Sequence, residues 1–447
     1  MSEESLIERQ RRYLVPGVQP YYQKPLAIES ASGRTVVDEE GNQYLDFFGG
    51  ILTVSIGHSH PAVADAVSDQ ARKLVHSSTL YVTKPMVDVA QRLADITPGP
   101  VSQSFFTTSG TEANETAVTM AQLSTGSSDI IALRHSYSGR SQLGMGLTGQ
   151  SSWKLGDGGR ALPIHHAHNA YCYRCPFKRT PDTCGLECAD DFEEFIQTST
   201  SGHIAAYIAE PVQGVGGFIT PPPAFLQKTV EVVRRLGGVF IDDEVQTGFG
   251  RTGRWFGIEH FGVTPDIMTF AKGMANGLPI GATITTAGIA ESYKGPTIST
   301  FGGNPLSMRA ALATLDVIGG EGLVQNSRER GRQLRDGLEN LSDRFAVMGD
   351  VRGLGLMQGI ELVRANKRPA PDLATKFIEY ARRQGILVGK GGMYGNTIRV
   401  APPMTVTREE VTQVLEGKEE VMRAIYQDEP ELSQVTSSRI HYEGVLS

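Results

Sequence analysis

Residues 238–272, GVFIDDEVQTGFGRTGRWFGIEHFGVTPDIMTFAK, constrain the fold of this chain more than any other stretch. Residues 238–242 form a short β-branched and aromatic run with turn signals on both sides. Such a run reads as a buried parallel strand with acids at its carboxyl end. Residues 266–270 repeat the pattern, and Lys272 follows them. Ligands of open α/β sheets sit outside the carboxyl ends of the strands, so Asp243 and Lys272 are expected to face one crevice from two strands.

A lysine and an acid so placed suit pyridoxal phosphate chemistry. The lysine forms a Schiff base with the aldehyde, and the acid keeps the pyridine nitrogen protonated, which makes the ring an electron sink. The plainer alternative is a solvated loop lysine and a helix-capping aspartate.

A chain of 447 residues exceeds what one core usually holds, so two domains are expected. With 40% hydrophobic and 20% charged residues it has the composition of an ordinary globular α/β protein. A net charge of −7 without a basic run argues against nucleic acid or an anionic membrane as partner. No stretch approaches ~18 uninterrupted apolar residues, so no membrane span is expected. The segment MSEESLIERQRRYLVPG mixes acids and arginines without an apolar run, unlike a secretory signal, and a cytoplasmic location is the expectation.

Along the chain, residues 26–52 alternate about the turn 38–42, as a hairpin does. His58 and His60 follow, with no third ligand at nearby spacing, and read as packing or loop histidines rather than a metal site. Helices are expected over 61–74 and about 86–96. A strand over 103–107 then breaks into TTSGTEANE, a helix N-terminus whose free backbone donors suit a phosphate, with Ser109, Gly110 and Thr111 as the cradle. Read alone, it is equally a plain capped helix with Thr111 and Asn114 on its surface. Residues 129–133 read as a strand that delivers Tyr137, a ring able to stack on a flat ligand. Residues 204–209 form a strand ending in Glu210, read as a capping acid or an arginine partner.

All four cysteines, Cys172, Cys175, Cys184 and Cys188, fall in an expected insertion over about 165–191. No metal is assigned. Zn²⁺ at these thiols is the lesser alternative, beside disulfides or free thiols packing the loop. The alternation from 103 to 285 is what a doubly wound, mostly parallel sheet requires, and such a sheet is expected for the large domain. Beyond about 310 come charged helices and the strand-like runs VRGLGLMQGIEL and NTIRV, so the second domain is α+β. Arg399 there is a candidate to grip a substrate carboxylate through two hydrogen bonds, or else a surface ion pair. The expected division is 1–60 (N-terminal segment and part of the small domain), 61–310 (large domain) and 311–447 (C-terminal small domain).

The motifs LDFFGGILTVSIGHSHP, TTSGTEANE, EPVQG, IDDEVQTGFGRTG, FAKGMANGLP, STFGGNP and IRVAPP stand in the order found in one family. From end to end the chain resembles the class III (subgroup II) pyridoxal-phosphate-dependent aminotransferases. The resemblance implies a fold-type I transferase, a homodimer or dimer of dimers with active sites shared between subunits. It also implies an amino donor, alanine or an ω-amino acid such as β-alanine or 3-aminoisobutyrate, and a 2-oxo acid acceptor, glyoxylate or pyruvate. Carried over by position, Lys272 is the Schiff-base lysine and proton shuttle and Asp243 partners the ring nitrogen. Gln246 lies near the ring hydroxyl, Val245 on one ring face and Tyr137 on the stacking face. Gly110 and Thr111 cradle the phosphate, Thr300 reaches it from the neighbouring subunit, Arg399 takes the α-carboxylate, and Glu210 can pair with an arginine. Ser138 departs from the histidine common there, and the cysteine-rich segment falls where the family varies. A lyase or racemase on the same scaffold is the alternative reaction, and a non-enzymatic binding module the third.

Overall fold

A computed structural model describes residues 5–18, 20–156 and 162–440. The outermost residues of the first and last expected domains, 1–4 and 441–447, lie outside the described residues. The N-terminal strands β1 (Ile28–Ser32), β2 (Thr35–Asp38) and β3 (Gln43–Asp46) form an antiparallel meander. Its tight turn is organised by Asp38, whose carboxylate accepts from the backbone N–H groups of Glu40 and Asn42 and from the Tyr44 hydroxyl.

The central sheet has seven strands, β4 (Val101–Thr107), β5 (Asp129–Leu133), β6 (Ile164–Ala167), β7 (Ile204–Ala209), β8 (Val239–Asp243), β9 (Ile267–Phe270) and β10 (Gly281–Thr286), in the order β4-β10-β9-β8-β7-β5-β6. Pairings among β6, β5, β7, β8 and β9 are parallel. β10 runs antiparallel to both β9 and β4, so the sheet is mostly parallel, as expected. Every residue of β7 and all but the first of β8 are buried, as the continuous apolar runs require of strands covered on both faces. The crossover helix Pro223–Arg235 starts on a proline at its first turn, and its apolar side, including Phe225, Leu226, Val230 and Val233, packs into the core.

One boundary needs correction. The cysteine-rich stretch was expected to be an insertion from about 165, yet Ile164–Ala167 is the edge strand of the central sheet, paired to β5. His165 and His166 interrupt the apolar run and hide it; His165 binds Asp129 at 3.0 Å and His166 the Leu147 carbonyl at 3.2 Å.

The C-terminal part carries β11 (Met348–Leu354), β12 (Met357–Arg364), β13 (Arg368–Pro369), β14 (Ile386–Leu387), β15 (Gly389–Gly391) and β16 (Thr397–Val400). β11 and β12 form a hairpin where the sequence reads as one alternating run, and the sheet continues β12-β16-β15. β14 pairs in parallel with β3, so the N-terminal meander shares a sheet with the C-terminal half. The helices Leu323–Arg344 and Arg408–Asp428 cover this half, the latter opened by a reciprocal Thr407–Glu410 cap.

Candidate active site

The site forms where β5, β7, β8 and β9 end, beside the start of the helix Gly110–Thr125. Ser109 caps that helix by accepting from the Glu112 N–H, and Thr108 and Ser109 in turn donate to the Glu112 carboxylate. The first turn therefore aims its remaining N–H groups into the cleft. A cleft is lined by Gly110, Thr111, Asn114, Tyr137, Ser138, Gly139, Glu210, Asp243, Val245, Gln246 and Lys272. Eight of the residues expected from the sequence are thus gathered by five separate segments.

Asp243 is fully enclosed. One carboxylate oxygen accepts from Asn114 Nδ2 at 2.8 Å and the other from the Val245 N–H at 3.1 Å. Burial pushes its carboxyl above the usual range, and Asn114, Val245 and Lys272 oppose that shift. Lys272 stands at the end of β9 with a left-handed backbone, φ 41°, a conformation that lysine rarely adopts and that directs the chain into a single 3₁₀ turn. Burial lowers its ammonium pKa, while Asp243 and Glu210 raise it. Glu210 is buried too; desolvation and the Asp243 charge push its carboxyl up to about 8.

Glu210 and Arg399 do not form an ion pair. The Glu210 oxygens accept from the Tyr137 N–H at 3.0 Å and the Gly214 N–H at 2.8 Å, so both are already occupied by backbone. Arg399, on β16, donates to the Gly214 and Lys390 carbonyls at 3.5 and 3.2 Å. Gly214 therefore links the two residues. The Arg399 guanidinium lies 4.8 Å from the centre of the Phe48 ring and 5.7 Å from that of Phe218, an aromatic seat for a buried cation.

Tyr137 takes Trp153 edge-on, ring centres 5.3 Å apart, which holds its ring at the cleft wall. Thr111 Oγ1 meets Ser141 Oγ at 3.0 Å. A Cβ on Gly110 would lie 3.2 Å from the Val245 methyls, so only a glycine leaves that approach open. Ser109 and Thr300 do not line the cleft; Ser109 is spent on the cap and Thr300 is exposed.

Asn114 was weighed from the sequence as an ordinary surface residue. It is instead buried, spanning Asp243, the Ser138 carbonyl and the Thr269 hydroxyl. The available signal was its spacing, four residues after Gly110, which puts both on one helix face.

Among the described residues no three His, Cys, Asp or Glu side chains converge on a metal position. The four cysteines are free thiols, and burial, with the neighbouring thiols, pushes Cys172 and Cys188 up to about 12. His58 is engaged by Asp46 at 2.8 Å, and His60 caps the helix Pro61–Lys73.

The cleft fits pyridoxal phosphate. Helix N–H groups at Gly110 and Thr111 face a phosphate position, an acid sits fully enclosed at the sheet end, and the buried Gln246 Oε1 has no hydrogen-bond partner of its own.

Comparison with known proteins agrees with this geometry. The family profile of the class-III aminotransferases matches residues 18–422. The relatives include alanine–glyoxylate aminotransferase 2, which the stretches YLDFFGGILTVSIGHSHPAV and HSSTLYVTKPM resemble. The alanine–glyoxylate aminotransferase 2 homolog 2 of Arabidopsis thaliana, a mitochondrial protein, is 41% identical over 93% of this chain and 87% of its own. A leucine/methionine racemase of Thermococcus litoralis is 33% identical over 95% of this chain and 96% of its own. An amine transaminase of an uncultivated Pseudomonas species, solved with pyridoxal phosphate bound, superposes with a TM-score of 0.86 at 32% identity over 92% of this chain and 98% of its own. With this extent of match, the chain belongs to the class-III aminotransferases, pyridoxal-phosphate-dependent transaminases of the fold-type I architecture.

Proposed function

We propose that this enzyme moves an amino group from alanine, or from an ω-amino acid such as β-alanine or 3-aminoisobutyrate, to glyoxylate or pyruvate. The observation that carries the reading is the shared enclosure of Lys272, Asp243 and Glu210 beneath Arg399. Bound pyridoxal phosphate supplies an aldehyde that takes up the amino group and a ring that accepts the electron pair. Lys272 would hold the cofactor covalently and, when free, would carry a proton to and from the donor carbon. Its ammonium is already disfavoured by burial, which suits a base. Asp243 keeps a proton on the ring nitrogen, with Asn114 holding the carboxylate in line. Gly110 and Thr111, with Ser109 capping their helix, receive the phosphate. Tyr137 and Val245 cover the two ring faces, Gln246 serves the ring hydroxyl, and Arg399 receives the substrate carboxylate.

A homodimer, or a dimer of dimers, completes this reading. Thr300 is exposed beside Ile298 and Phe301, 54% and 60% exposed, and Leu80, Tyr81 and Val82 are exposed as well. Apolar side chains in that number suit an interface through which Thr300 of a second copy reaches the phosphate.

Racemisation is the second reading, favoured by the racemase similarity. Absorption spectroscopy of the reconstituted protein separates the two. L-Alanine or β-alanine alone should convert the visible cofactor band to that of the aminated cofactor and release the oxo acid. A band that persists while L-alanine becomes racemic would replace amino transfer with racemisation.

A further inference from the structure

Three acids stand in succession, Asp242 and Asp243 at the end of β8 and Glu244 just beyond it, and the site described above uses only the middle one. Strand alternation sends Asp243 to the cleft with Ile241, whose side chain packs with Ala117 and Val118, and turns Asp242 to the opposite face, where Phe240 packs. There Asp242 is completely buried. Its strand neighbours in register are Ala209 and Met268, which offer no polar side-chain partner. Neither of its carboxyl oxygens receives a hydrogen bond from any donor among the described residues. The charged groups bearing on Asp242 are the Glu244 carboxyl, two residues on, and Asp243.

Glu244 is richly supplied. It accepts from the Thr247 hydroxyl, from the Gly257 N–H at 2.9 Å and from the Ile258 N–H at 2.8 Å. Two facing carboxyls cannot both be ionised in an apolar enclosure; one proton between them turns repulsion into a hydrogen bond. The donors decide where it sits, because Glu244 has three to stabilise a negative charge and Asp242 has none.

We propose that Asp242 keeps a proton in the folded enzyme and donates it to Glu244, and that this carboxylic acid–carboxylate pair is a positioning element clamping the turn that presents Asp243, Val245 and Gln246. Glu244 lies between Asp243 and Val245 in the chain. Tying it to Asp242 below and to the Gly257–Ile258 backbone beyond fixes the turn from behind while its front lines the cleft. Burial and the adjoining acids hold Asp242 far above the usual carboxylate range, whereas Glu244, also raised by burial, is drawn back by its donors to about 7, so the proton stays with Asp242. The consequence for the cofactor rests on the function proposed above; the shared proton does not.

The test is Asp242→Asn, an isosteric amide that donates to Glu244 at every pH. Unfolded Asp242 loses its proton above its ordinary range while folded Asp242 keeps it, so rising pH favours unfolding of the natural enzyme. Its folding constant should fall relative to the variant by up to about tenfold per pH unit between about pH 5 and 8. The Tm difference should therefore widen steadily in favour of Asp242→Asn. A Tm difference independent of pH overturns the shared proton. Glu244→Gln removes the carboxylate that accepts the proton, so Asp242→Asn made in that background should lose part of its pH-dependent advantage; an unchanged advantage overturns the sharing.

With pyridoxal phosphate added, the natural enzyme should release the cofactor at alkaline pH, read as the visible band left after desalting, and Asp242→Asn should retain it to higher pH. Identical release profiles overturn the positioning role. Absence of any visible band in both proteins refutes the cofactor reading instead, and the Tm series still decides the proton.

Discussion

Replacing Asn114 by alanine tests the hidden support of the site. The change removes three buried hydrogen bonds: to the Asp243 carboxylate at 2.8 Å, to the Ser138 carbonyl at 3.1 Å, and from the Thr269 hydroxyl at 2.8 Å. A bond to a charged acceptor contributes about 2 kcal/mol and a neutral one about 1 kcal/mol, and the orphaned partners stay buried. The expected loss is about 4 kcal/mol, roughly a thousandfold in the folding constant. Without its main side-chain donor the Asp243 carboxyl also moves further above its usual range, so less of it is ionised when cofactor arrives. Urea unfolding of the cofactor-free protein, followed by tryptophan fluorescence, measures the first effect, and cofactor affinity measures the second. Thr269→Val breaks one neutral bond and should cost about 1 kcal/mol. A loss below ~1 kcal/mol for Asn114→Ala, or equal losses for the two variants, would refute the view that Asn114 organises Asp243.

Lys272→Ala should abolish turnover while leaving noncovalent cofactor binding; borohydride treatment should then leave no cofactor attached to the protein, and turnover at the natural rate would overturn the assignment. Arg399→Ala should raise KM about 10- to 100-fold for donors bearing a carboxylate, as loss of a charge-assisted pair implies, and leave simple amines without one unaffected. Equal losses for both classes would exclude a carboxylate role. Lys418 is fully buried, its Nζ lacks a hydrogen-bond partner, and burial lowers it to about 7. Folded Lys418 then binds fewer protons than unfolded Lys418 between about pH 7 and 10, so stability rises with pH across that window. Lys418→Met should stabilise the protein by up to about 4 kcal/mol below pH 7, with the advantage shrinking toward pH 10 in a Tm series.

The central strands were legible because burial on both faces demands unbroken apolar runs. β5 and β7 fall on the residues expected, and β8 and β9 lie within one residue of them. Strand direction was not legible, since an antiparallel β10 has the same composition as a parallel one. β6 was hidden by its two histidines and by the cysteines after it. In the β11–β12 hairpin, Asp350, Arg352 and Glu361 are buried in mutual ion pairs, so their charges mimic a solvated face. Lys272 and Asp243 could be proposed from strand-end position. Asn114 could not, because an asparagine near a helix start usually serves the cap or solvent, and only the folded register sets it against an acid far along the chain. Nor does sequence register the Gly214 turn, whose N–H and carbonyl occupy Glu210 and Arg399 separately.

Arg399 stands on a sheet that shares no strand with the one bearing Lys272. Lys272 belongs to a deeply enclosed framework, whereas Arg399, the proposed carboxylate receptor, hangs from a neighbouring one through the Gly214 and Gly217 carbonyls, the latter gripped by Arg352 at 2.9 Å. A change in that clasp would shift the distance between the point where a substrate is held and the point where it reacts, without altering either group. Discrimination between α- and ω-amino acids, which differ in the span from carboxylate to amine, is thereby open to adjustment by substitutions far from the chemistry.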